Sequence, residues 1–347
     1  MKFIFVVLAY NQEDYILEHL ESIKYQIEKF GKGIDFKIII ADDGSADNTV
    51  DLASYWTSKN EHLFCECVFL ADRKNKGTCD NFTKTWDHID GDYCKVSAAD
   101  DVYSQISLFD DLGLLDRCEI MSGLPLMLID DKISLSRRMI YHMLATEIIY
   151  RNRDYLERLE KIHIDNTPNM LLPVKVYSNE SLRSFVRKFF VTEDFPMHVR
   201  MAQEYAPLRF IQLKKILVFY RRTESSTYLV RKEHFNKDKV EVFNYMILNE
   251  NNVFRRLLLK NRVFCYTMKN RLLSKVLNLS YYVYFIELLV HYSSVIRAFS
   301  EINPDISEYQ AHMNTIAERA QWELNDYLKG HLLPTSSEKL AEDTVKA

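Results

Sequence analysis

Apolar runs that stop at polar or acidic turns constrain the fold of this chain more than any other feature. Residues 3–8 (Phe-Ile-Phe-Val-Val-Leu) run into Tyr10-Asn11, residues 36–41 run into Asp42-Asp43-Gly44-Ser45, and residues 93–97 run into Asp100-Asp101. Between the first two, Tyr15, Ile16, Leu20, Ile23 and Ile27 recur at close to helical spacing. A third strand is expected over 63–70, with helices from Val50 and over 81–89. Strand and helix in this rhythm imply crossover connections and a parallel sheet. Ligands of such sheets sit beyond the carboxyl ends of the strands, which singles out residues 9–11, 42–44 and 98–101.

Composition narrows the alternatives. The 347 residues are 47% hydrophobic and 27% charged, enough for a large core and incompatible with a disordered or collagenous chain. Eight glycines argue against a propeller of tight turns, and a net charge of −4 gives no global basic field for nucleic acid. A dinucleotide-binding oxidoreductase needs a Gly-rich turn after its first strand, where this chain has Ala9-Tyr10-Asn11-Gln12. The six cysteines (65, 67, 79, 94, 118 and 265) lack zinc or redox spacing and suggest a reducing compartment. Cys65 and Cys67 read as two small buried side chains on one side of a strand. The first apolar run is too short for a secretion signal and has no cleavage site. No run of about 18 apolar residues appears; 276–290 comes nearest and Glu287 interrupts it.

Residues 106–228 are mixed, with a basic helical stretch near 134–154, a short helix from Asn179 and the acidic segment Thr192-Glu193-Asp194-Phe195-Pro196. After about 235 the pattern is helical. Asp42/Asp43, Asp100/Asp101 and Glu193/Asp194 are each explicable as turn or cap residues. The first two lie at strand ends on one sheet edge and the third begins a helix; convergent carboxylates at such an edge suit an oxygen-ligated Mg²⁺ or Mn²⁺, a ribose hydroxyl or a base N–H.

These segments resemble a known family. Residues 6–11 (Val-Val-Leu-Ala-Tyr-Asn) and 38–47 (Ile-Ile-Ile-Ala-Asp-Asp-Gly-Ser-Ala-Asp) are similar to the opening of the inverting family 2 glycosyltransferases with the GT-A fold. Asn75-Lys76-Gly77 with Asn81, residues 91–103, Thr192 to Pro196 and residues 217–222 resemble later segments of that family in the same order. The resemblance spans about 3–228 and departs from the usual pattern at Ala98, where an aspartate is common, and at Thr223, where a histidine often stands.

The resemblance implies an α/β GT-A fold, a Rossmann-like, mainly parallel mixed sheet flanked by helices, with a helical C-terminal extension. Residues 1–105 would form the nucleotide-sugar half, 106–228 the acceptor half and 229–347 a helical region. It implies Asp194 as general base with Glu193 beside it, Tyr10 stacking near the base and Asp43 accepting from uracil. Asp100 would contact ribose or metal, and Asp101 would be the main protein ligand of Mn²⁺ or Mg²⁺. Arg73 and Arg222 read as solvated arginines within reach of phosphate, and His198 as a partly exposed helical histidine.

Size and the C-terminal extension most resemble bacterial enzymes that assemble capsule or O-antigen repeat units. That implies a UDP-hexose donor, with UDP-glucose as the specific expectation, and an acceptor sugar on undecaprenyl diphosphate. Another nucleotide-sugar, or a protein or teichoic-acid acceptor, is the alternative; a degenerate scaffold that binds donor without transfer is the non-enzyme reading. Residues 251–286 hold seven Lys/Arg and no Asp or Glu among leucines and aromatics. They are expected to dock a cytoplasmic protein peripherally on the inner face of the cell membrane, with Arg255, Arg256, Lys260 and Arg262 as contacts.

Overall fold

A computed structural model of the chain describes residues 1–115, 120–223 and 232–332. Its framework is one nine-stranded sheet in the order β3-β2-β1-β4-β8-β6-β9-β5, with β7 paired to β6. β1 (Lys2–Ala9) lies between β2 (Asp35–Asp42) and β4 (Tyr93–Ala98), and both pairings are parallel. Its two faces enter separate cores, Ile4 and Val6 in one and Phe3, Phe5 and Val7 in the other, so the strand is a continuous apolar run with no alternation. β3 (Glu66–Ala71) closes this edge in parallel with β2. It starts later than expected because residues 61–63 form a 3₁₀ turn.

As an edge strand, β3 leaves Cys65 exposed and Cys67 half-buried, which corrects the expectation that both are interior. Burial pushes the Cys67 thiol up to about 11. Cys118 lies outside the described residues.

The second half of the sheet is mixed. β8 (Met170–Pro173) runs antiparallel to both β4 and β6 (Ile120–Ile129). β9 (Phe210–Arg221) is parallel to β6 and antiparallel to β5 (Val102–Tyr103). β7 (Lys132–Ser134) forms a hairpin with β6. The β6–β9 register shifts between Ser122 and Leu124 and again before Pro125, an irregularity that accommodates a proline inside a sheet.

Helices α1 (Ile16–Phe30) and α2 (Thr49–Lys59) cover one face of the first half. The other face is covered by α3 (Thr78–Lys84) and, after α4 (Arg137–Tyr150), by α5 (Tyr155–Glu160), α6 (Glu180–Val186) and α7 (Asp194–Glu204). α8 (Lys232–Asn249) adds Val242, Phe243 and Met246 to that core. α9 (Val253–Thr267), α10 (Arg271–Val276), α11 (Leu279–Val290) and α12 (Tyr292–Ser300) follow, and Tyr284, Leu288 and Val295 pack on α4. No described helix is long and apolar enough to cross a membrane.

The last described helix, α13 (Ile306–Leu332), returns to the start of the chain. Lys59 Nζ pairs with Glu323 at 2.7 Å and Asp326 at 2.8 Å, and Tyr55 donates to Asp326 at 2.5 Å. Met313, Ile316 and Ala320, three and four residues apart, enter the cores beside the sheet. His312 on the same helix donates to the Tyr103 carbonyl at 3.1 Å. Burial, with Lys29 and Arg319 nearby, pushes its imidazole down to about 4 from an ordinary 6.5.

The unfolded chain thus binds a proton near pH 6.5 that the folded chain refuses until about pH 4. This contribution to stability is full above pH 6.5 and is lost as pH falls, at about 1.4 kcal/mol per pH unit between the two values. His312→Gln is expected to flatten the loss of melting temperature between pH 7 and pH 5. An unchanged slope would mean that His312 is not part of the acid sensitivity.

Candidate active site

The carboxyl ends of β1, β2 and β4 meet on one edge, and the turns that leave them are held by their own acidic side chains. Asp42 caps its turn, with Oδ2 accepting from Gly44 N–H at 2.9 Å and Ser45 N–H at 2.8 Å. Gly44 has φ +76°, and a Cβ there would lie 2.6 Å from the Lys74 backbone. Asp43 accepts from Lys76 N–H at 2.7 Å and Gly77 N–H at 3.0 Å, one bond to each oxygen. It is only 3% exposed, so the residue expected to meet a base first pins the 72–77 loop to the end of β2. Tyr10, at the mouth of β1, offers an exposed ring. Arg73 is exposed on the loop.

Gly77 also joins the two halves of the site. Its φ is +98°, and a Cβ would lie 2.6 Å from the carbonyl of Phe190, two residues before Thr192. The 72–77 loop therefore abuts the segment that carries Asp194.

At the end of β4 the paired carboxylates differ. Asp100 is half-buried, while Asp101 is 1% exposed. Asp101 Oδ1 accepts from Arg221 N–H at 3.0 Å, and Oδ2 is buried with no hydrogen-bond partner. Burial, then the neighbouring Asp100 charge, holds the Asp101 carboxyl well above the usual carboxylate range. The surface-facing member of the pair is thus Asp100, and the expected main metal ligand, Asp101, sits beneath it. Ala98, the position where an aspartate is common, is exposed beside them.

Arg221 organises this turn. Its guanidinium donates to the Asp100 carbonyl at 2.8 Å and to Asp131 at 3.2 Å, pairs with Glu18 and lies 4.5 Å over the Tyr15 ring. Beneath the turn, His19 Nδ1 meets the Asp101 carbonyl at 2.7 Å and Nε2 meets Ser97 Oγ at 3.0 Å. Arg222, the neighbour read from sequence as a solvated arginine within reach of phosphate, is exposed with its guanidinium 5.8 Å from the Tyr220 ring.

The third acidic cluster opens α7. Asp194 accepts from Phe195 N–H at 2.6 Å and from Thr167 Oγ1 at 2.9 Å, and is half-buried. Glu193 is pushed up to about 8 by burial and by Asp194 and Asp238, so it carries a proton at neutral pH more readily than an ordinary glutamate. Asp238, on α8, accepts from Val191 N–H and Thr192 N–H, both at 3.0 Å, and clamps the chain just before Asp194. His198, expected to be partly exposed, is 2% exposed because its turn of α7 faces the core, where Nδ1 lies 3.3 Å from Tyr155 Oη.

The acidic turn of β4 and the Asp194 segment are linked through a buried lysine. Lys95, in the middle of β4, is fully enclosed and donates to the carbonyls of Pro168 at 2.5 Å, Met170 at 2.9 Å and Val96 at 3.1 Å. Burial pushes its amine down to about 8. Pro168 follows Thr167, whose hydroxyl holds Asp194. Lys95, Thr167, Arg221 and Asp238 were not singled out from the sequence. The available signal was a lysine inside an apolar strand; two of its three partners, Pro168 and Met170, lie more than 70 residues away.

The sequence model described as Glycosyl transferase family 2 matches residues 4–180, just over half of the chain. The chain belongs to glycosyltransferase family 2. The match takes in the turns after β1, β2 and β4 and ends before the Asp194 segment. No curated protein in the comparison matches this glycosyltransferase. Among solved structures, S. aureus TarS residues 1–349 in complex with UDP is similar over 92% of this chain and 92% of that chain, at 17% identity and a TM-score of 0.53. A longer TarS structure is covered over 54% of its length, at 16% identity, a TM-score of 0.53 and 93% coverage of this chain, so the glycosyltransferase spans about half of that relative. Mannosyltransferase PcManGT from Pyrobaculum calidifontis, in complex with GDP-Man and Mn²⁺, is similar over 92% of this chain and 87% of that chain, at 13% identity and a TM-score of 0.50. These likenesses establish the GT-A fold, in agreement with the mixed α/β architecture expected from the sequence.

Proposed function

We propose that this glycosyltransferase moves a hexose from a UDP-sugar, with UDP-glucose as our choice, to a sugar on undecaprenyl diphosphate during O-antigen or capsule repeat-unit assembly. Transfer is by single displacement with inversion. The observation that carries the reading is the connection from β4 through Lys95, Pro168 and Thr167 to Asp194, which ties a candidate base to the strand ending in Asp100-Asp101. The acceptor hydroxyl attacks the anomeric carbon opposite the leaving group. The new C–O bond forms as the bond to the diphosphate breaks, UDP departs and Asp194 takes the hydroxyl proton.

On this reading residues 1–105 bind the nucleotide-sugar, 106–228 receive the acceptor, and 229–347 bring the protein to the cytoplasmic face of the membrane where the acceptor resides. Tyr10 stacks on the base, Asp43 uses its remaining lone pairs for a uracil N–H and Asp100 contacts ribose or metal. The TarS complex with UDP supports a uridine donor, and the PcManGT complex with GDP-Man and Mn²⁺ supports a divalent cation. No cluster of three or more metal-binding side chains occurs among the described residues. Two adjacent carboxylates with one partnerless buried oxygen suit a cation that draws its other ligands from phosphate and water. Asp100 and Asp101 would hold it, and Mn²⁺ or Mg²⁺ would supply charge stabilisation on the departing diphosphate.

Thermal shift with UDP-, GDP- and dTDP-sugars tests the donor, with UDP-hexoses expected to stabilise most. Mn²⁺ plus UDP should raise the melting temperature by more than the sum of the two alone, and Asp100→Asn with Asp101→Asn should reduce the rise to that sum. A GDP-sugar giving the largest shift would reassign the donor. Full transfer by the unmodified protein in excess chelator would remove the metal.

A further inference from the structure

The four helices α9 to α12 carry their apolar residues on the outside. Among the described residues 26 large hydrophobic side chains are exposed, and 18 of them fall within residues 253–296. Ordinary soluble surfaces scatter such residues singly; a contiguous patch marks an interaction site. In α11, Ser280, Tyr284 and Leu288 turn inward at four-residue spacing, whereas Tyr282, Phe285, Ile286, Leu289 and Val290 face out. That orientation is fixed from beneath. Tyr284 Oη meets His142 Nδ1 at 2.8 Å, and Glu287 is paired with Lys161 and accepts from Tyr150 Oη at 3.0 Å. α10 has no buried side chain, and its Leu272 is 75% exposed. On α9, Val253, Leu257, Lys260 and Phe264 recur at helical spacing on the exposed side.

The charges on this surface decide what covers it. Lys260, Lys269, Arg271 and Lys275 are exposed and have no acidic partner among the described residues. Two arginines counted as contacts from the sequence belong instead to the fold. Arg255 pairs with Glu157 at 2.6 Å and Glu160 at 3.3 Å. Arg262 is buried, donating to the carbonyls of Glu160 and Lys161 at 3.1 and 3.0 Å and lying over the Phe243 ring.

We propose that the outward face of α9 to α11 is a lipid-docking surface, in which Leu272, Phe285, Ile286 and Leu289 enter the interface of a bilayer while Lys260, Lys269, Arg271 and Lys275 meet anionic headgroups. Long basic side chains among exposed leucines and aromatics suit that boundary, with apolar stems against acyl chains and charges at phosphate level. A two-fold contact with a second copy would bring this cationic face onto itself with no carboxylate in 251–286 to answer it. The surface does not depend on the transfer chemistry, so its test needs no donor or acceptor.

The full chain is sedimented with vesicles of mixed phosphatidylglycerol and phosphatidylcholine, and with phosphatidylcholine alone. Binding to the anionic vesicles is expected to be about tenfold tighter and to weaken with salt. Lys269→Gln/Arg271→Gln/Lys275→Gln should remove the preference for anionic lipid. Leu272→Ser/Phe285→Ser/Leu289→Ser should lower binding to both vesicle types and abolish the part that survives high salt. An unchanged UDP-induced thermal shift in both variants shows that the fold and donor site are intact, and the charge variant alone tests the surface if the apolar one does not fold. Equal binding by wild type and variants overturns the proposal. So does no binding at low salt, or a dimer in solution that the apolar variant dissociates.

Discussion

Asp194→Asn is expected to leave donor binding unchanged and to lower transfer by about two orders of magnitude or more. The substitution preserves shape and an acceptor for the Thr167 hydroxyl, now 2.9 Å from Asp194 Oδ2, so α7 keeps its first turn. What disappears is the capacity to take a proton from the acceptor hydroxyl. Glu193 is the natural competitor, since its carboxyl is held near 8 and it adjoins Asp194. Glu193→Gln separates the two, with a loss of less than about tenfold expected because the positioned base remains. The measurement is single-turnover transfer alongside a UDP thermal shift. Transfer by Asp194→Asn within about threefold of wild type would move the base elsewhere.

The second large effect is on stability. Arg221→Met removes one side chain that answers Glu18, Asp131, the Asp100 carbonyl and the Tyr15 ring together. Breaking a buried ion pair from one side costs about 3–5 kcal/mol because the remaining charge is stranded. Glu18 is the stranded group here, its carboxyl already pushed up by burial and held down only by Arg221. Arg221→Lys keeps the charge but has no planar fork to reach several partners, so it should recover only part of the loss. Urea unfolding measures the cost, and the Mn²⁺-dependent part of UDP binding should fall with it as the Asp100-Asp101 turn loosens. A loss below about 1 kcal/mol would show that the turn holds itself.

These two residues also mark how far the sequence could be read. β1, β2 and β4 were legible because each is a mainly apolar, largely buried run ending at a turn whose polar residues have few other reasons to cluster. The Asp194 segment stood out because Thr-Glu-Asp before a helix resembles a family pattern, and the structure places it at the start of α7. Arg221 was hidden by its neighbour: two arginines follow Tyr220, and only the strand register decides that the first turns inward while the second faces solvent. Strands β6 to β9 were hidden for another reason. β6 contains Gly123 and Pro125, and its partner β9 lies some ninety residues later, so nothing local announces the pairing. Arg255 and Arg262 of α9 were misassigned because charge is visible in sequence and its partners are not; Glu157 and Glu160 sit on α5, about a hundred residues upstream of Arg255.

The return of α13 to α1 and α2 has a consequence for how the protein is made. The first sixty residues contain both helices, yet the wall that seals them is supplied by residues 306–332. While the ribosome is still synthesising the middle of the chain, the first half of the sheet waits with part of its helical layer uncovered, a state in which chains aggregate or draw chaperones. A transcript cut short after α12 would therefore damage the beginning of the protein rather than its end. Lys59 would lose Glu323 and Asp326, Tyr55 would lose Asp326, and the cores would lose Met313, Ile316 and Ala320. Quality control can thus detect an unfinished copy of this chain at its oldest segment, long before any substrate is encountered.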